Sequence, residues 1–232
     1  MVAGTTTSCD VLQITASNSV RFRPVHPDAV RRCDGAAMAK KNAFLLVGPA
    51  IPSADDLQQT LIDQQDLLTT AGLTTPDITR GDLDRSAVEL LRTHKAEGLK
   101  RADVEGSLAR VVRRAEKRKA AVLLGHHAYA GADATQRSLL LDAMSGFRTH
   151  VVITAERGQP GLDDLIDAWA TQVKPTRLHV VTFEAGDGLD AVLERVVEHA
   201  RVAHEADLEK RIGKLKKKRA ALKEQLEELR SA

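Results

Sequence analysis

Four short apolar runs, separated by longer mixed segments, constrain the fold of this 232-residue chain more than any other feature. They are AFLLVG at 43–48, AAVLLG at 120–125, HVVITA at 150–155 and LHVVTF at 178–183. Short runs without polar alternation are typical of strands that are buried on both faces. The segments between them repeat apolar residues three and four positions apart, as amphipathic helices do, at 57–68, 104–112, 139–144 and 162–169. This order predicts an α/β fold, a doubly wound and mostly parallel sheet with helices on both faces.

The composition excludes several other classes of protein. The hydrophobic content of 43% is enough for an aliphatic core, and no apolar stretch reaches the ~18 residues that a membrane-spanning helix needs. Both cysteines, Cys9 and Cys33, lie in the first 37 residues, so a disulfide framework for the rest of the chain is excluded. We therefore expect no membrane span, and the cytoplasm as the default location.

The chain divides into three regions by its sequence pattern. Residues 1–37 have no apolar period and no secretion-signal run, so we predict a disordered segment. Met38 followed by a strand resembles a natural start, which makes an upstream-extended start one interpretation; an Arg-bearing, acid-poor transit peptide is the alternative. Residues 38–205 form the predicted α/β domain, and residues 206–232 form a predicted coiled-coil tail.

The first predicted strand and the loop after it, residues 45–58, read LLVGPAIPSADDLQ. This stretch resembles the P-loop sulfotransferase-like family, in which a strand runs into G-x-P-K-[ST]-G-T-[ST]-x-L-Q. Gly48 matches the first glycine, and the strand at 151–155 resembles the one that leads into the family's T-A-R-D. The resemblance implies a P-loop-like sheet, a 3'-phosphoadenosine 5'-phosphosulfate donor and a hydroxyl acceptor. It makes Gly48, Ser53 and Arg157 the candidate cofactor-binding residues.

The same loop departs from the family at the positions that hold the phosphate. Ile51 replaces the lysine, Ser53 the second glycine, and Ala54 and Asp55 the two hydroxyl positions. A carboxylate such as Asp55 at ~4 Å from a phosphate charge repels it by about 1 kcal/mol even in water. The preferred interpretation of these residues is a helix start, with Ser53 as the cap and Asp55 and Asp56 as charges that compensate the helix dipole. We therefore predict a degenerate phosphate loop and no cofactor.

Arg157 keeps a nucleotide-binding alternative open. In the T-A-R-D alignment Glu156 takes the place of the arginine and Arg157 that of the acid, so Arg157 reaches an anion only if the loop shifts by one residue.

His126 and His127 follow the strand at 120–125, at the end where ligands bind in parallel sheets. Either imidazole is suited to act as general base for an acceptor hydroxyl. The competing interpretation is a pair of ordinary loop histidines. Because neighbouring residues of an extended chain point to opposite faces, we do not expect the pair to share a metal, and no metal site is predicted.

The tail carries a heptad pattern. Apolar residues occupy the a and d spacing over three heptads, with Arg219 at the one polar position: Leu208, Ile212, Leu215, Leu222, Leu226 and Leu229. Gly213 weakens this helix by about 1 kcal/mol relative to alanine. Three heptads are marginal alone, so the coiled coil 208–229 is predicted to need a partner helix, from a second copy, from another protein or from the same chain.

The charges of the tail bear on the identity of that partner. Residues 208–232 contain nine basic and four acidic residues, with the basic ones concentrated at 210–219 and most acidic ones at 224–228. This order favours antiparallel self-pairing or a complementary helix over a parallel, in-register pair. A solvated helix end without a partner ranks second. A basic patch for nucleic acid or an anionic membrane surface ranks third, because the tail has no aromatic residue for base stacking and phosphate contact does not need the heptad leucines.

Three functional hypotheses follow. The favoured one is a catalytically degenerate sulfotransferase-like protein that acts as a scaffold or regulatory partner through its coiled coil. The second is an active sulfotransferase or nucleotide-binding protein with a rearranged site built on Arg157 and His126 or His127. The third is a nucleic-acid-associated protein that binds through the basic tail.

Overall fold

The structure is a computed structural model that describes residues 40–48, 60–61, 63–184 and 186–231. The segment 1–37 that was predicted to be disordered lies outside the described residues, as do Ser53, Ile51 and Asp55 of the loop that resembles a phosphate loop.

The sheet has five strands in the order β2-β3-β1-β4-β5, and every neighbouring pair is parallel. The strands are β1 (Lys41–Val47), β2 (Leu73–Thr74), β3 (Ala121–Gly125), β4 (Phe147–Glu156) and β5 (Leu178–Phe183). The four apolar runs are therefore confirmed as strands of a parallel sheet. Among the described strands, the two-residue edge strand β2 alone has no counterpart among the predictions.

Helices fill the connections. They are α1 (Gln65–Thr70), α2 (Arg80–Leu91), α3 (Arg101–Val104), α4 (Ser107–Lys117), α5 (Ala134–Ala143), α6 (Leu162–Ala170) and α7 (Leu189–Ser231), with 3-10 turns at His127–Gly131 and Pro175–Arg177. The helical segment predicted at 104–112 is divided into α3 and α4 at Gly106, which has a φ of +76°. Glycine adopts this left-handed conformation without a steric cost, so the chain turns here.

Both faces of the sheet are covered. Ala43, Leu45 and Val47 of β1 belong to a core shared with α2, α4, α5 and α6. Phe44 and Leu46 point the other way, into a second core with residues of α1 and α7. Side chains alternate along a strand, so one continuous apolar run supplies both cores. The fold is therefore α/β with a doubly wound parallel sheet and a long C-terminal helix.

Helix α2 begins with a capping box that fixes its first residue. The Thr79 hydroxyl accepts from the Asp82 N–H at 3.2 Å, and the Asp82 carboxylate accepts from the Thr79 N–H at 3.0 Å. Two backbone donors that have no partner inside the helix are satisfied in this way.

The structure contains no helix, within its described residues, that combines the length and the apolar character needed to cross a bilayer.

Candidate functional site

The neighbouring carboxyl ends of β1 and β4 are the first place to look for a ligand. β1 continues to β2 on one side of the sheet, whereas β4 continues to β5 on the other. Where adjacent strands lead in opposite directions, their loops diverge and leave a crevice, which is the usual binding position in open α/β sheets. Gly48 and Arg157 lie directly after these two strands.

Gly48 is buried and packs against the backbone of β4. A Cβ built on Gly48 would lie 2.1 Å from Oγ1 and 2.3 Å from the carbonyl oxygen of Thr154. The strand can approach β4 this closely only because residue 48 has no side chain. Sheet packing alone thus accounts for this glycine, without any ligand. The Thr154 hydroxyl is itself buried and has no hydrogen-bond partner among the described residues.

Arg157 is engaged with the end of β5. Its Nε lies 3.0 Å from Oε1 of Glu184, and its backbone N–H donates to the carbonyl oxygen of Phe183 at 2.8 Å. The side chains of Arg157 and Glu184 are both exposed, so the ion pair adds little to the stability of the fold. The Glu184 carboxylate nevertheless balances the positive charge of Arg157.

Among the described residues of this edge, Arg157 is the candidate cation for a phosphosulfate donor, and it is already paired with Glu184. The Arg157 cation is accompanied by the carboxylates of Glu156 and Glu184, and the sequence from 48 to 58 contains no lysine or arginine. A donor with several negative charges requires cations or free backbone donors at this point.

His126 caps the 3-10 turn that follows β3. Its Nδ1 accepts from the Ala128 N–H at 3.2 Å, so the ring proton lies on Nε2, which donates to Oδ1 of Asp84 at 3.1 Å. Burial lowers the pKa of His126, and the hydrogen bond to Asp84 only partly offsets this effect. Because both ring nitrogens are engaged, His126 can act as a base only after the cap opens.

His127 stacks on His126, with ring centroids 4.5 Å apart. The expectation that the two side chains point to opposite faces is wrong, because the 3-10 turn begins at His127 and ends the extended conformation. His127 is exposed. Within the described residues, no group of three or more His, Cys, Asp or Glu side chains has the geometry to hold a metal ion.

A polar network around the buried side chain of His150 joins the amino-terminal ends of β4 and β5 to α7. The sequence pattern did not predict it. Oδ2 of Asp207 lies 3.2 Å from Nε2 of His150, and Nδ1 of His150 lies 3.0 Å from Nε2 of His179. Arg148 pairs with the other carboxylate oxygen of Asp207 at 2.9 Å. The chain of contacts runs from α7 through β4 to β5.

The protonation of this network follows from its geometry. Burial would raise the pKa of Asp207, but hydrogen bonds from Arg148 and His150 lower it, so the carboxylate is charged and accepts from Nε2–H of His150. Nδ1 of His150 then accepts from His179. Burial lowers the pKa of His150 to about 4. The His150 side chain is only 3% exposed, while those of Asp207 and Arg148 are 13% and 35% exposed. The network therefore joins α7 to the sheet through a buried imidazole.

Helix α7 changes from buried to exposed along its 43 residues. Val192, Leu193, Val196, Val197 and Ala200 are buried against the sheet. Beyond Asp207, the apolar side chains of the heptad pattern are 38% to 80% exposed. Leu215, Leu222 and Leu226 line a groove together with Lys218, Lys223 and Arg230. The helical conformation predicted for the tail is thus confirmed, as the second half of one long helix, and its apolar stripe is exposed.

Comparison of the chain with protein-family models, with curated proteins and with solved structures gives no match in any of the three. The resemblance to the sulfotransferase-like family stays a prediction.

Proposed function

We propose that this chain is a non-catalytic scaffold or regulatory partner, a catalytically degenerate sulfotransferase-like protein whose working surface is the apolar stripe of α7 in the coiled coil 208–229. The observation that carries the proposal is the exposure of that stripe on a helix whose first half is anchored in the core. The α/β domain is then the base that holds the helix.

The free energy of apolar burial favours a partner. Leu215, Leu222 and Leu229 are 65%, 54% and 80% exposed. Full burial of one leucine is worth roughly 1.5–3 kcal/mol, so a helix that covers the stripe gains several such contributions. The a and d spacing matches the knobs-into-holes packing of a second helix.

The sheet edge supports the degenerate part of the proposal. The strand order and the parallel pairing are compatible with a P-loop-like domain. The glycine at the start of the loop is required by packing on Thr154, and the nearby arginine is paired with Glu184. None of these features requires a nucleotide.

Photo-crosslinking in the native cell tests the partner-binding part. A photoreactive phenylalanine analogue replaces Gln225, which lies beside the stripe, or Glu224, which lies one residue further around the helix. We expect a discrete crosslinked product, identified by mass spectrometry, from position 225 and not from 224. Leu222→Ser should abolish it. Identical products from both positions, or none from either, would contradict the proposal.

Calorimetric titration of the full chain with adenosine 3',5'-bisphosphate tests the non-catalytic part. We expect no binding up to millimolar ligand. Micromolar binding would instead favour the alternative, an active sulfotransferase or nucleotide-binding protein, and would direct attention to Arg157 and His127.

A further inference from the structure

The helical phase of α7 shows which charges flank the apolar stripe. The helix is continuous from Leu189 to Ser231, so one heptad register applies throughout the stripe. The register places leucines at d and the remaining core residues at a. The d positions are Leu208, Leu215, Leu222 and Leu229, and the a positions are Ile212, Arg219 and Leu226.

The flanks of the stripe are mostly basic, with five basic residues among seven flanking positions. The e and g positions, which lie beside the a and d residues, are Glu209, Arg211, Lys216, Lys218, Lys223, Gln225 and Arg230. The acidic residues that appear to balance the charge along the sequence, Glu224, Glu227 and Glu228, fall at f, b and c on the outer side of the helix. The charges are thus segregated around the helix as well as along it.

This arrangement disfavours a second copy as the partner. Parallel helices face e against g, and antiparallel helices face e against e and g against g. Lys216, Lys218 and Lys223 meet basic residues in either case, and like charges at these positions are destabilising. The antiparallel self-pairing that the charge order along the sequence favours is therefore not the best match for the exposed surface.

We propose that the stripe binds an acidic amphipathic helix of another protein, one that carries Leu or Ile at its a and d positions and Glu or Asp at its flanking positions. This inference rests on the proposed function and names the chemistry of its partner. Arg219, the polar residue within the stripe, adds a further requirement. A carboxylate of the partner faces it in the core layer, because an unpaired buried cation is costly.

An anionic membrane fits the same surface less well. Helices that lie on membranes have a polar face that is rich in basic residues and an apolar face that contains Trp or Phe. Helix α7 contains no Phe, Trp or Tyr, and its outer side carries Glu224, Glu227 and Glu228. The narrow a/d stripe is instead the seam of a coiled coil.

Two designed peptides test the proposal on the full chain. Both have four heptads with Ile at a and Leu at d, and they carry either Glu or Lys at every e and g position. Fluorescence anisotropy of the labelled peptides measures binding. We expect the acidic peptide to bind at least about tenfold more tightly than the basic one. Equal binding, or preference for the basic peptide, overturns the proposal.

Two triple variants with the same change in net charge provide the matched control. Lys216→Glu, Lys218→Glu and Lys223→Glu together reverse the flanks. Lys210→Glu, Lys214→Glu and Lys217→Glu together reverse the charge at outer positions instead. Lys210 and Lys217 lie at f, and Lys214 lies at c. We expect the first variant to lose the preference for the acidic peptide and the second to keep its affinity within about threefold. Equal losses in the two variants would show general charge attraction and overturn the proposal.

The remaining outcomes separate this inference from the proposed function. Sedimentation velocity that shows a dimer of the chain alone, lost in Leu222→Ser, keeps the partner-binding function but overturns the acidic partner. Binding to vesicles of phosphatidylserine in preference to the acidic peptide overturns the inference in favour of a membrane. Failure to associate with either peptide, with vesicles or with itself overturns both.

Discussion

Asp207 of α7 is held against His150 of β4, with 3.2 Å between Oδ2 and Nε2, so a part-buried hydrogen bond joins α7 to the sheet. On the far side of the imidazole, His179 continues the contact into β5 at 3.0 Å. The position of the exposed stripe therefore depends on the charge state of three side chains.

We expect the protein to lose stability as the pH falls from about 6.5 towards 4. The pKa of His150 is lowered to about 4 in the folded state, while the unfolded chain binds a proton near 6.5. The neutral folded form is thus fully favoured above pH 6.5, and the unfolded state gains protons below it. We expect the free energy of unfolding to fall by an amount on the order of 3 kcal/mol. Urea denaturation at pH 7 and at pH 4.5 measures this difference.

The titrating groups that contact His150 act in the same direction. Burial also lowers the pKa of His179, and the pKa of Asp207 is lowered, against the effect of burial, by its hydrogen bonds with Arg148 and His150. His150→Asn should have a shallower pH dependence than the wild type. Unfolding free energies that are the same at both pH values would refute the expectation that His150 is neutral in the folded protein.

Removal of the Asp207 charge should destabilise the junction. Asp207→Asn leaves Arg148 without its carboxylate partner and weakens the bond to His150, at a cost of about 1–3 kcal/mol. Glu205→Gln is the control, since Glu205 is 56% exposed and pairs only with Arg201 among the described residues; it should change stability by less than about 0.5 kcal/mol. Chemical denaturation at pH 7 compares the two, and similar values for both would contradict a structural role of Asp207.

Gly48→Ala should destabilise the sheet by about 1–3 kcal/mol, because the new Cβ would lie within 2.3 Å of the Thr154 backbone. Gly213→Ala is the opposite case: nothing lies within 4 Å of its Cβ position, and alanine favours the helix by roughly 0.5–1 kcal/mol. Urea denaturation measures the first effect, and the helical signal in circular dichroism measures the second. A Gly48→Ala protein as stable as the wild type would show that β1 and β4 are further apart than described.

The histidine pair after β3 should separate into a structural and a surface residue. His126→Ala removes the cap on Ala128 and the bond to Asp84, and is expected to cost about 1–2 kcal/mol. His127→Ala, at an exposed position, should cost less than about 0.5 kcal/mol. Thermal denaturation ranks them, and the reverse order would mean that the cap is not formed.

Most of the sheet could be predicted because its strands are buried on both faces and so form continuous apolar runs. The exceptions have physical reasons. Strand β2 is only two residues long, Leu73–Thr74, which is too short for any periodic signal. Helix α2 was missed because its buried residues alternate with many charges, although the spacing of Thr79 and Asp82 was a recognisable start signal.

The candidate site was less predictable, since its contacts join distant parts of the chain. The position of His126 after a strand was readable, but its partner Asp84 lies on α2, which the pattern had not assigned. His150, His179 and Asp207 come from three separate elements, and nothing local links them. The charge order of the tail favours antiparallel pairing when it is considered along the sequence alone. The heptad positions of Lys216 and Lys223, beside the stripe, argue against it, and the continuous helix α7 shows that one register applies to both residues.

The length of helix α7 determines how far from the sheet a bound partner would lie, and its helical phase determines in which direction. At 1.5 Å per residue, Leu229 lies roughly 40 Å along the axis from Ala200, the last of its fully buried residues. Each residue also turns the stripe by about 100°, so one extra residue between Asp207 and Ile212 would swing the docked partner a quarter-turn or more around the axis. Seven extra residues would move it outward by about 10 Å and nearly restore its direction. The contact at Asp207 thus fixes the rotation of α7 about its axis, and with it the direction in which a bound partner would lie relative to the sheet.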